Sequence, residues 1–319
     1  MTPRPPPAAQ LDHDLYDARI ASRATGHAWP GGRPAAAFVL IHVEAFEIDA
    51  PRGAIRDPGL RGEFGSYFPN YRAHSLMAYG NRIGVFRLMD LLQPRGWRVA
   101  AAINGLVAKE HPSLVRALAA RDVEIVASGW SASRMVTSVI EAADERRLLE
   151  DSADAVAQAT GQRPRGYASQ DYGYSVNTAA VLEALGFDHA IDWPNDEVPY
   201  AFGPRRTIAM LPAAAELDDA QAMLVRKLQP RSWGATLNAA LAWWQESALP
   251  GSVLALPLHA WVAGAAHRTA ALRHVLEAHA AQQFWQAGPA AIAAHWRLAS
   301  SSPGPRSPRP QRPAPTVDR

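Results

Sequence analysis

Between residues 35 and 297 short apolar runs of β type alternate with longer helical stretches, and this alternation limits what the chain can fold into more than any other feature. The runs expected as strands are AAAFVLIHVE (35–44), WRVAAAIN (97–104), VEIVAS (123–128), GYAS (166–169), HAIDW (189–193), TIAMLP (207–212), SVLALPLH (252–259) and QFWQA (283–287). Helical patterns fall between them: one capped by Asn81 and ending before Gly96, one opened by Pro112, and others over 141–159, 177–185, 236–244 and 269–279. Strands that follow one another through helices run parallel, and right-handed crossovers then lead to a barrel or a doubly wound sheet. No glycine-rich phosphate fingerprint follows any strand, which weighs against a dinucleotide-binding sheet. The body is close to the roughly 250 residues of a single β/α barrel.

Three segments are therefore expected: a proline-rich N-terminal extension (1–34), the α/β barrel (35–297), and a disordered, basic, proline-rich tail (298–319). The tail accounts for the calculated pI near 9.0. From Ser300 onward it holds four arginines and one aspartate, so residues 1–299 carry −1 of the chain's net +2, and nucleic-acid binding is not expected. No leader pattern and no apolar run of membrane-spanning length is seen, so the expected location is cytoplasmic, with no membrane partner. The chain has no cysteine, which removes thiolate metal sites, iron–sulfur clusters and cysteine nucleophiles, and leaves its 11 histidines and the carboxylates as possible metal ligands.

In a parallel β/α fold chemistry gathers at the carboxyl ends of the strands. Those ends carry His42 and Glu44, Asn104, Ser128, Gln170 and Asp171, Asp192, Glu216 and Asp218, and His259. A terminal Asn or Asp is more often a helix cap than a ligand. Glu44 stands out because it closes an apolar strand on the same face as Leu40 and His42, where a carboxylate needs a partner. His259 closes another such strand, and the two can form a base and acid pair. Trp130, Trp193 and Trp261 each follow a strand end, where they can wall a pocket.

In HVEAFE, YGNRIGVFRLMDLL, AAAINGLVAKEHP, EIVASGW, TGQRPRGYASQ, DWPNDEVPY and LPLHAWVAGAAHR, taken in order, the chain resembles the NodB-like polysaccharide deacetylase superfamily, in the branch of the metal-independent allantoinases. The resemblance implies a distorted (β/α)7-type barrel. It also implies that Glu44 holds the family's base position and His259 its acid position. The family's metal ligands, an aspartate and two histidines, fall on Ala45, Ser128 and Ala132, and an arginine that orients the base falls on Ala168. No metal and no cofactor is therefore expected.

The activity implied is hydrolysis of a non-peptide carbon–nitrogen bond, amide or ureide, in a small-molecule substrate. Arg82, Asn104 and Gln170 are candidate donors to its carbonyl, His42 is expected to tune Glu44 from beneath, and Ser128, Asp171 and Asp192 complete the expected wall. The alternative is a catalytically inactive barrel that binds a small molecule or a protein partner. Related barrels assemble through exposed helices, which leaves a homo-oligomer open.

Overall fold

The computed structural model describes residues 13–17, 28–49 and 69–301. The tail from 302 onward and most of the 1–34 extension lie outside the described residues. Seven parallel strands form the frame: β1 (Ala35–Val43), β2 (Val99–Ile103), β3 (Glu124–Ala127), β4 (Gly166–Tyr167), β5 (His189–Asp192), β7 (Ile208–Pro212) and β8 (Ser252–His259). A short β6 (Tyr200–Phe202), which the sequence pattern does not announce, runs antiparallel on β7. A two-residue β9 (Trp285–Gln286) pairs with the start of β1. The order is β6-β7-β5-β4-β3-β2-β1-β8, and one parallel bridge, Ala213 to Ala255, joins β7 back to β8.

The alanine-rich strands read as unbroken apolar runs because both faces are covered. Period-two alternation then divides their side chains. In β1, Ala35, Ala37, Val39, Ile41 and Val43 pack outward with helical residues such as Leu88, Val115 and Leu237. Ala36, Phe38 and Leu40 pack inward with Ala100, Ala102, Ile191 and Ala255. The same parity sends His42 and Glu44 to the inner side at the carboxyl end, and in β8 it sends Val253, Ala255, Pro257 and His259 inward.

The outer layer comprises α1 (Tyr71–Tyr79), α2 (Val85–Leu92), α3 (Gly105–Glu110), α4 (Pro112–Ala119), α5 (Ala142–Thr160), α6 (Thr178–Ala184), α7 (Pro230–Ser247), α8 (Ala266–Ala278) and α9 (Pro289–Ser301). One expectation is corrected here. Asn81 does not cap the first helix; the cap lies eleven residues earlier, where the Asn70 side chain accepts from the Ala73 N–H at 3.1 Å. Asn81 lies instead in a π-helical turn, Gly80–Gly84, between α1 and α2. The turn passes directly over the loop after β8: a Cβ on Gly80 would lie 2.6 Å from the Trp261 nitrogen, and one on Gly84 would lie 2.0 Å from the Ala260 oxygen. Only glycine permits that approach.

Part of the expected N-terminal extension contributes to the barrel wall. Trp29 is buried, stacks on Trp285 at 5.3 Å and donates its indole N–H to the Ser252 carbonyl at 2.8 Å. No helix among the described residues is long and apolar enough to cross a membrane.

Candidate active site

Glu44 and His259 open on one cleft at the carboxyl ends of the strands. Met77, Met135, Leu224 and Trp261 form much of its wall, and its enclosed part is about 40 Å³, room for one or two water molecules. The Glu44 carboxylate is buried and accepts the Trp261 indole N–H at 2.8 Å, while its carbonyl accepts from the Asn81 amide at 2.8 Å. Burial pushes its pKa up, against the pull of His259 and the Trp261 hydrogen bond, and Asp218 and Asp219 add to the push.

His259 is held from below by a fully buried carboxylate. Asp219 accepts its ring Nδ1–H at 2.7 Å, its backbone N–H at 3.0 Å and the Ala263 N–H at 2.7 Å. A second carboxylate, Asp218, stands 3.7 Å from Nδ1. Burial opposes charge on the imidazole, but Asp218, Glu44 and Asp219 outweigh it and raise its pKa well above the usual histidine value. Three carboxylates around one ring favour its protonated form, while burial raises the pKa of Asp219 as well. Nδ1–H goes to Asp219, and Nε2–H is left for the cleft.

His42 meets His259 face to face, with ring centroids 4.7 Å apart and planes 12° from parallel. Burial and the His259 charge hold its pKa well below the ordinary value, so it stacks as a neutral ring. Its contact is thus with the acid, whereas the sequence pointed to the base.

The other expected residues separate into three groups. Gln170, Asp171 and Trp261 line the cleft. Asp171 accepts from the Gln221 amide, and it and Tyr172 adopt left-handed φ angles of 48° and 57°. Asp192 lies deeper, on a small internal hole shared with His42, Asp218 and His259. The remaining residues are engaged elsewhere. Asn104 ties β1 to β3, accepting from the Ala45 N–H at 3.0 Å and donating to the Ser128 carbonyl. Ser128 is fully buried, and neither residue lines the cleft. Trp130 packs over Gly105 and under Lys109. Trp193 joins an aromatic cluster with Tyr16, Tyr174 and Phe202. Arg82 is exposed on the outer helical surface, in a different cleft.

Asp219 and Tyr172 are the site residues that the sequence reading missed. Tyr172 donates to Asp218 at 2.9 Å. The available signal was the Asp218–Asp219 pair just beyond a strand end, of which only the first was singled out.

Asp192 receives the Ser169 N–H at 3.0 Å, the Ser169 hydroxyl at 2.6 Å and the Tyr174 hydroxyl at 2.8 Å, yet burial raises its pKa to about 7. A carboxyl that binds its proton more tightly when folded loses stability as pH rises from the unfolded value to the folded one. At ~1.4 kcal/mol per unit, wild type should lose about 4 kcal/mol relative to Asp192→Asn between pH 4 and 7. Urea titrations across that range measure it, and parallel curves would refute it.

Ala45 and Ala132 carry no donor, and the Ser128 hydroxyl is buried away from the cleft, so the family's ligand positions do not fit a metal. Asp218, Asp219 and His259 bring donor atoms within 4.8 Å of one another. Their oxygens are already engaged: Asp219 as above, and Asp218 by the Ala220 N–H at 2.8 Å, the Gln221 N–H at 3.0 Å and Tyr172.

The comparisons with known proteins point to one class for this α/β fold of parallel strands, the polysaccharide deacetylases. The polysaccharide deacetylase family profile matches residues 80–190. A protein from Mycobacterium smegmatis described as a polysaccharide deacetylase is similar in structure at 24% identity and TM-score 0.71, covering 88% of this chain and 96% of its own. One from Pseudomonas aeruginosa PAO1, described likewise, aligns at 22% identity and TM-score 0.73 over 90% of this chain and 98% of its own. The PuuE allantoinase aligns at 22% identity and TM-score 0.74, over 92% and 100%. No curated protein sequence matches the chain. The chain has the NodB-like polysaccharide deacetylase fold, and over residues 80–190 it carries the sequence pattern of that family.

Proposed function

We infer that this chain hydrolyses a non-peptide carbon–nitrogen bond, amide or ureide, without a metal. The observation that carries the reading is a buried carboxylate, Glu44, and an imidazole flanked by three carboxylates, His259, facing one cleft in environments suited to opposite proton roles. Glu44 takes a proton from water as its oxygen bonds to the carbonyl carbon. His259 Nε2–H gives a proton to the leaving nitrogen as the carbon–nitrogen bond breaks. A proton passed from Glu44 to His259 through solvent resets the pair, so that water and amide become acid and amine. Gln170 and Asp171 offer polar contacts for the rest of the substrate.

A metal-polarised carbonyl would contribute several kcal/mol. Here that help has to come from a substrate whose carbonyl is already activated, as in a cyclic ureide or imide, and from the imidazolium. Turnover of an amide, ureide and acetylated-sugar panel should be unaffected by chelator. Loss on chelation with recovery on adding zinc would overturn the metal-free reading.

Ala45, Ser128, Ala132 and Ala168 favour a second reading, an inactive barrel that binds a small molecule or a partner. Its signature is no turnover on the whole panel together with thermal stabilisation by one of its members. Against it stands the cost of keeping Glu44, Asp218, Asp219 and His259 buried as ionisable groups.

A further inference from the structure

Away from the strand ends, α2 and α8 border a second cleft of about 490 Å³ that shares no residue with the first. Arg82, Arg87, Arg95 and Arg273 line it, with Phe86 and Ile83 between them, and Asp90 is its one carboxylate. Asp90 is already engaged by Arg121 at 2.9 Å. Arg95 donates to the Leu91 carbonyl at 3.0 Å, and its carboxylate contact, to Glu277, is a long one of 3.7 Å.

Several arginines on other faces stand against a carboxylate of their own, as in Arg98 with Asp122, Arg163 with Asp154, Arg165 with Asp188 and Arg226 with Glu216. Arg82 and Arg273 have none among the described residues, and both are exposed. Four guanidinium groups around one hollow repel one another, and at this surface only solvent and salt offset that repulsion. An oxyanion would relieve that repulsion and match the paired N–H geometry of guanidinium.

We propose that the α2/α8 cleft is a binding site for a multivalent phosphate-type oxyanion, separate from the catalytic cleft. The site is built into the wall behind the catalytic loop. Arg87 donates to the Gly264 carbonyl and, at 2.8 Å, to the Tyr79 hydroxyl, and Gly264 ends the loop that carries Trp261 and Ala263.

Calorimetry with inorganic pyrophosphate on the full chain tests the proposal. One site per chain is expected, with affinity falling as sodium chloride is raised. Arg82→Ala with Arg273→Ala should weaken binding by about tenfold or more, through loss of charge-assisted bonds. Arg116→Ala with Arg231→Ala, on other helices, should leave it unchanged. Equal binding by wild type and the Arg82/Arg273 double variant would overturn the site, as would equal losses in both double variants. Glu44→Gln should bind as wild type does, so the outcome is independent of whether the chain proves to be a hydrolase.

Discussion

Glu44→Gln is expected to lower turnover of whichever amide or ureide the wild-type chain hydrolyses by about 10²- to 10⁴-fold, the usual contribution of a positioned general base. Glutamine keeps the shape and an oxygen that can still accept the Trp261 indole N–H, so the wall of the cleft stays in place. What it loses is the capacity to take a proton from water. Because burial raises the Glu44 pKa, the wild-type fold carries a carboxylate where a neutral group would sit more easily. The variant should therefore unfold at the same urea concentration as wild type or a higher one. The expected pattern is a large loss of rate with no loss of stability. Equal rates in the two proteins would remove Glu44 from the chemistry. A matched loss of rate and stability would make it a packing residue.

The acid limb of the rate profile follows from the same burial. A base whose pKa is raised loses activity on acidification at a higher pH than an exposed glutamate would, while His259, raised by three carboxylates, keeps its proton above the usual histidine range. Activity should rise with pH through the Glu44 value and hold across neutrality.

The frame was legible in the sequence because strands buried on both faces must be apolar throughout, and β1, β2 and β8 satisfy that without a break. Parity along β1 and β8 was equally legible, and it is what sends Glu44 and His259 to the inner face. The roles of the shorter polar residues were not. Asn104 ends a strand, as a ligand would, but its amide is spent joining Ala45 to Ser128, and that partnership depends on how β1 and β3 lie on either side of β2. Arg82 fails for a related reason. The sequence reads as a helix that begins at Asn81, whereas the chain is already helical there, and the π turn at Gly80–Gly84 leaves Asn81 buried and Arg82 exposed. Tryptophans after strand ends were also ambiguous: Trp261 is fixed over Glu44 by a hydrogen bond, while Trp193 found other aromatic rings first.

Asp219→Ala should be the most destabilising single change at the site, by about 3 to 5 kcal/mol, the range for removing one partner of a buried charged pair. Asp219 is fully buried and accepts three N–H groups, two of them from His259 and one from Ala263. Alanine would leave the two His259 N–H groups in the interior without an acceptor, and the Ala263 N–H with the His259 carbonyl alone at 3.0 Å. The His259 pKa should then fall, which histidine ring NMR measures directly. A group whose folded pKa is raised contributes stability that is complete below its unfolded value, near 6.5, and is lost as pH climbs through the folded value. The gap between wild type and Asp219→Ala should accordingly be widest below about pH 6.5 and narrow as pH rises. It should not close, because the backbone N–H of His259 needs an acceptor at every pH. A gap that stays constant with pH, with an unmoved His259 titration, would mean that Asp219 only fastens the loop and leaves the acid's proton to Asp218 and Glu44.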